Sequence, residues 1–164
     1  MNVSHLFAIQ KVLDDRILAE HGLKGSDLFV KKIIALHVEL GELANETRSF
    51  KYWSKKGPSP REIILEEFVD VLHFTLSLGI DLGCTDLSDA LPVHPARRRD
   101  LTEQFAVLLT AVSVLAATRA AADYRALFSE LFALGNLLGF AAEEIERAYL
   151  QKNEKNHQRQ NEGY

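Results

Sequence analysis

The segment GPSPREIILEEFVDVLHF, Gly57 to Phe74, joins a helix start to a chemical oddity. Ser59, Pro60 and Glu62 have the spacing of a capping box with proline at the first helical position, which predicts a helix beginning there. Beyond that start, Ile63, Ile64, Leu65, Phe68, Val71, Leu72, Phe74 and Leu76 leave almost no polar side, so the helix belongs deep in a bundle. Glu67 and Asp70 nevertheless sit three positions apart inside the apolar run. Residues with this spacing lie on one side of a helix about one turn apart, so both carboxylates face the same way. A second pair, Glu39 and Glu42, repeats the pattern among Ile33, Leu36, Leu40 and Leu43.

Most helical glutamates lie on a solvated face and pair with lysines. Apolar surroundings and the repetition of the pattern argue against that role here. Four gathered carboxylates repel one another and take up protons unless a cation compensates them, and an oxygen-only ligand set suits a hard ion such as Mg²⁺. Glu39, Glu42, Glu67 and Asp70 are therefore the expected metal ligands, and a Mg²⁺ cluster suggests phosphate chemistry. Glu46 follows Glu42 by one turn and is a candidate for a supporting role. Glu66 points about 100° away from Glu67 and stays outside the set.

Working outward, helical periodicity runs through the chain. Ser4 is positioned to cap a first helix carrying Leu6, Phe7, Leu13, Ile17 and Leu18 and ending near His21 and Gly22. A second helix starts near Asp27 and runs to about Arg48; the aromatics, lysines, Gly57 and prolines from Phe50 to Pro60 then read as an ordered loop. Gly83 to Arg99 reads as a long surface connection ending in Arg97, Arg98 and Arg99. A fourth helix starts at Asp100 or Thr102, a fifth covers Leu127 to Leu138, and Gly139 precedes a last one from Glu143 to about Gln160. No run alternates polar and apolar residues as a half-buried strand does. The expected class is all-α, a bundle of about five to six helices forming one domain over residues 1–164.

With 164 residues, 47% of them hydrophobic, the chain can bury a real core, and its net charge of −4 excludes a general nucleic-acid coat. Cys84 is the single cysteine, so no internal disulfide can form and a cytoplasmic location is expected. Residues Met1 to Gln10 lack a basic start followed by a long apolar run, and no run of 18 uncharged apolar residues occurs, so neither export nor a membrane partner is expected.

A phosphate group held by such a cluster keeps excess negative charge and needs cationic donors opposite the metals. Two basic segments qualify. One is the loop with Arg48, Lys51, Lys55 and Lys56; the other is the last helix, where Lys152, Lys155, Asn156 and Arg159 recur at helical spacing.

The order ExxE, a gap, then ExxD resembles the all-α NTP pyrophosphatase superfamily, which includes the MazG-type enzymes, the phosphoribosyl-ATP pyrophosphatases and the dimeric dUTPases. ELGELANETRSFKYWS (Glu39 to Ser54), GPSPREIILEEFVDVLHF and YLQKNEKNHQRQNEGY (Tyr149 to Tyr164) are each similar to dimeric-dUTPase motifs, in order and at family-like spacing. LFAIQKVLDDRI in the first helix is similar as well, whereas Thr75 to Ala148 lies outside the resemblance. The resemblance implies Mg²⁺-dependent hydrolysis of dUTP, with dUDP as a second substrate, to dUMP and pyrophosphate by a homodimer. In that hydrolysis Glu39 or Glu42 is also the candidate general base towards the attacking water. The resemblance assigns Lys152, Asn156 and Arg159 to the phosphates, beside Lys51 and Lys55 of the loop. His73 and Phe74 are the implied contacts to deoxyuridine, with Gln10, Trp53 and Asn153 as further base or sugar contacts. A sister pyrophosphatase acting on dCTP or a modified nucleotide, and a non-enzymatic helical interaction module, are the competing readings. The nearly all-round apolar third helix is a second reason to expect a dimer, because it demands cover.

Overall fold

A computed structural model describes residues 1–87 and 100–163. Within them the chain forms six helices, α1 Val3–Glu20, α2 Phe29–Thr47, α3 Arg61–Asp81, α4 Leu101–Thr118, α5 Ala121–Leu137 and α6 Ala142–Asn161. There is no strand among the described residues. Most of the connection from Gly83 to Arg99, including the arginine triplet, lies outside them.

α3 is the axis of the bundle, with buried residues from Ile64 to Gly79 on every side and α1, α2, α5 and α6 packed around it. Its cover thus comes from its own chain, which removes the reason for a dimer drawn from this helix. Unpartnered apolar surface is found elsewhere. Val30, Ile34 and Val38 form an exposed stripe on α2, and Leu109 and Val114 are exposed on α4. His37 Nε2 lies 3.4 Å from Ser113 Oγ, so the two faces adjoin. α4 is long and apolar enough to cross a membrane by length and composition alone. Its Phe105, Leu108, Val112 and Leu115 instead join the bundle core.

Helix ends follow local chemistry, and three differ from expectation. Asn2, not Ser4, caps α1, its Oδ1 accepting from His5 N at 3.1 Å. The capping box at Ser59 does not form. Pro60 is the cap residue of α3 and has no side-chain acceptor to offer, while the Ser59 hydroxyl donates to the Glu46 carboxylate. The charge-assisted bond to that carboxylate fixes the Ser59 side chain on the α2 side, and it makes no bond to the first amides of α3. A full box does form at α4, between Asp100 and Glu103. α5 begins at Ala121, six residues before the expected Leu127, since the preceding alanines propagate a helix well once it is started.

Gly79 sets how closely α5 approaches α3. A Cβ there would collide with the Tyr124 ring and hydroxyl and with Phe7, and the Tyr124 hydroxyl donates to Thr75 O at 3.0 Å across the same contact.

Candidate active site

α2 and α3 run antiparallel. Lys32 at the start of α2 donates to Asp81 at the end of α3 at 2.7 Å, and Glu46 near the end of α2 holds Ser59 just before α3. Leu36, Leu40 and Leu43 bury the seam between the helices. This register places Glu39 opposite Glu67 and Asp70, and one oxygen from each of the three lies within 4.8 Å of the others. Glu42, exposed, stands on the rim outside that group.

The cluster is electrostatically uncomfortable. Burial, followed by the charges of Asp70, Glu42 and Glu67, pushes Glu39 up to about 7. Burial and the charges of Asp70 and Glu42 likewise raise Glu67. Burial raises Asp70 too, against the pull of a bond from Lys152. Lys152, itself buried, donates to Asp70 at 2.6 Å and to Glu66 at 3.0 Å. Burial opposes its charge, but these two bonds outweigh it and hold the ammonium above its ordinary value. Two oxygens on one Mg²⁺ are at most about 4.2 Å apart, so a group spread over 4.8 Å needs only a small inward shift to bind one. Three partly buried carboxylates that raise one another's proton affinity are a donor set suited to a divalent cation.

The acids open into a cleft of about 510 Å³. α1 contributes Gln10 and Asp14 to it, α3 contributes His73, Phe74 and Ser77, and α6 contributes Lys152, Asn156, Arg159 and Gln160. One end is therefore acidic, one wall cationic and amide-rich, and the far end aromatic. At that end His73 stacks on Tyr149 with ring centroids 4.3 Å apart. Burial lowers His73 to about 3, so the ring is neutral. Gln10 Oε1 lies 2.7 Å from His73 Nδ1 and accepts from the Tyr149 hydroxyl at 2.8 Å. Asn153 is buried on α6 behind this wall and does not line the cleft.

Of the residues singled out in the sequence, Gln10, Glu39, Glu42, Glu67, Asp70, His73, Phe74, Lys152, Asn156 and Arg159 meet in this cleft. Trp53, Lys51 and Lys55 do not line it. Trp53 packs edge-on against Phe50 and Tyr52, and Lys51 is bonded to Asn45 on α2. Arg48, in the left-handed conformation that ends α2, is committed to its own loop through Ser54 Oγ at 2.6 Å and Lys56 O at 3.1 Å. Glu66, set aside on helical angle, does face away from the three-acid group, yet it shares Lys152 with Asp70. Asp14 and Ser77 escaped sequence reading altogether. Asp14 has the i, i+4 spacing to Gln10 that signals a helix-surface bond, but Ser77 lies on another helix and no local pattern announces it.

A family model described as dUTPase matches residues 2–164. No curated protein matches the chain.

Proposed function

Because the chain belongs to the dUTPase family and hydrolyses dUTP, we propose that the acidic end of the cleft is its Mg²⁺ site and the His73 end its uracil site. The family match spans Thr75 to Ala148, the part that motif resemblance had left unaligned. The carrying observation is the three-carboxylate group of Glu39, Glu67 and Asp70 at one end of a cleft whose α6 wall is cationic.

Glu39, Glu67 and Asp70 would hold the ion, and the chemistry it supplies when bound is neutralisation of phosphate charge and acidification of water. Glu42, on the rim beside them, is left to accept the proton of the attacking water at a carboxylate oxygen. Arg159 and Asn156 bind the outgoing phosphates, and Lys152 adds its charge from the floor of the cleft. Water attacks the α-phosphorus, the bond to the α–β bridging oxygen breaks, and pyrophosphate leaves with that oxygen while dUMP remains. The same geometry serves dUDP, with inorganic phosphate leaving instead. Phe74 offers a face to the base and His73 an edge.

The chain works as a single domain, and two copies associate through the α2 and α4 stripe. That pairing covers Val30, Ile34 and Val38, which no element among the described residues covers.

The deciding experiment is hydrolysis of dUTP and dUDP by Glu42→Gln and Asp70→Asn proteins, with and without Mg²⁺, beside Mg²⁺-induced thermal stabilisation. Loss of turnover in both variants is expected, with loss of the thermal shift in Asp70→Asn. Near-wild-type turnover in either variant overturns the assignment.

A further inference from the structure

The polar chain behind the aromatic end of the cleft has only one consistent direction, and Asp14 sets it. Asp14, partly buried on α1, accepts from Ser77 Oγ at 2.5 Å and from Gln10 Nε2 at 2.8 Å. Lys32 Nζ stands 3.8 Å from the same carboxylate. A carboxylate only accepts, so the Gln10 amide must turn its NH₂ group towards Asp14 and its oxygen towards α3. That oxygen then has two lone pairs and two partners, the Tyr149 hydroxyl and His73 Nδ1. Nδ1 must therefore carry the ring proton. His73 is neutral, so its other nitrogen, Nε2, is a bare acceptor. Nε2 is also one of only two buried side-chain polar atoms without a hydrogen-bond partner among the described residues, and His73 lines the cleft. Leaving a buried acceptor unmatched is costly, so the group awaits a donor.

We propose that Asp14 is a positioning residue that sets base choice: by fixing the Gln10 amide it holds His73 in the tautomer whose Nε2 accepts from a ring N–H of the base. The inference rests on the reading that uracil occupies this end of the cleft. Uracil presents an imide N–H to such an acceptor, whereas cytosine presents a lone pair at the same ring position and is repelled. Ser77 and Lys32 hold the Asp14 carboxylate in place. Stacking on Tyr149 holds the imidazole plane, so the ring cannot swing to find the unmatched nitrogen another partner.

Replacing Asp14 by asparagine removes the constraint while keeping shape. An amide can face Gln10 with either its oxygen or its NH₂ group, so Gln10 becomes free to reverse and His73 free to carry its proton on Nε2. The test has two arms on the full-length protein with Mg²⁺ present. In the first, ¹⁵N-histidine spectra report the His73 tautomer, its signals identified by their loss in His73→Gln. Wild type is expected to show protonated Nδ1 and bare Nε2, and Asp14→Asn a measurable share of the opposite form. In the second, kcat/KM for dUTP and dCTP is compared. Asp14→Asn is expected to lower the dUTP to dCTP ratio about tenfold, mainly through KM, since a reversed donor no longer rejects the wrong edge. A wild-type His73 protonated on Nε2 overturns the inference without any variant. So does an Asp14→Asn protein with unchanged tautomer, or with a ratio within about twofold of wild type. The tautomer measurement needs no turnover, so an inactive protein with the expected tautomer counts against the metal-site reading alone.

Discussion

The strongest consequence of the acidic cluster is a link between proton and metal at Glu39. Its ordinary value of 4.5 is raised to about 7, chiefly by burial and then by three neighbouring carboxylates, so in the metal-free protein it is about half protonated at neutral pH. A cation must displace that proton. With a value of about 7, the competition factor 1 + 10^(pKa − pH) is about 11 at pH 6 and about 1.1 at pH 8, so Mg²⁺ affinity should rise about tenfold between them and then level off. Binding at pH 7 should release about half a proton from this group. The same shift acts on folding with the opposite sign. A carboxyl group with a folded value above its unfolded one favours folding fully below the unfolded value, and that contribution is lost as pH rises through the folded value. Metal-free stability should therefore fall between about pH 4.5 and 7, by about 1–2 kcal/mol once the full shift is discounted for solvent screening of a partly exposed group. Titration calorimetry in two buffers of different ionisation enthalpy counts the protons, and urea unfolding in chelator follows stability. Mg²⁺ affinity that stays flat from pH 6 to 8, together with metal-free stability that rises over the same interval, would refute the reasoning.

Three further outcomes follow from packing and charge. Gly79→Ala should cost about 1–3 kcal/mol through collision with Tyr124 and Phe7, read as a Tm lower by several degrees with little change in KM. Lys152→Met should destabilise the metal-free protein by about 3 kcal/mol, because Asp70 is left partly buried among other acids, and added Mg²⁺ should restore part of the loss in a melting experiment. Ile34→Glu should shift the protein to a monomer in sedimentation, since it places a charge in the middle of the exposed α2 stripe; an unchanged dimer would locate the interface elsewhere.

The helical class and the acid pairs were legible because both depend on spacing along one element. Glu39, Glu67 and Asp70 could be named from i, i+3 steps within apolar runs, and the turn beyond Asp70 leads directly to His73 and Phe74. What escaped depends on pairs far apart in the chain. Ser59 has the local signature of a cap, but Glu46, thirteen residues earlier, takes its hydroxyl. Lys152 has the look of a free phosphate contact and is instead bonded to two acids of α3. Asp14 reads like its neighbour Asp15, which pairs with Lys11 in solvent, until Ser77 on α3 is brought against it. α3 was rightly expected to be deeply buried, but its partners were not legible, because apolar periodicity shows that a face is covered and not by what.

The antiparallel clasp of α2 and α3 also has a mechanical meaning. Repulsion among the acids is a force prising the two helices apart midway along their length. The Lys32–Asp81 pair pins one end, the Glu46–Ser59 bond pins the other, and the leucine seam runs between them. A beam fixed at both ends resists such a force by bowing slightly instead of swinging open. Emptying or filling the acidic centre should then change the spacing of α2 and α3 by a fraction of their separation, while sliding of one helix along the other stays blocked.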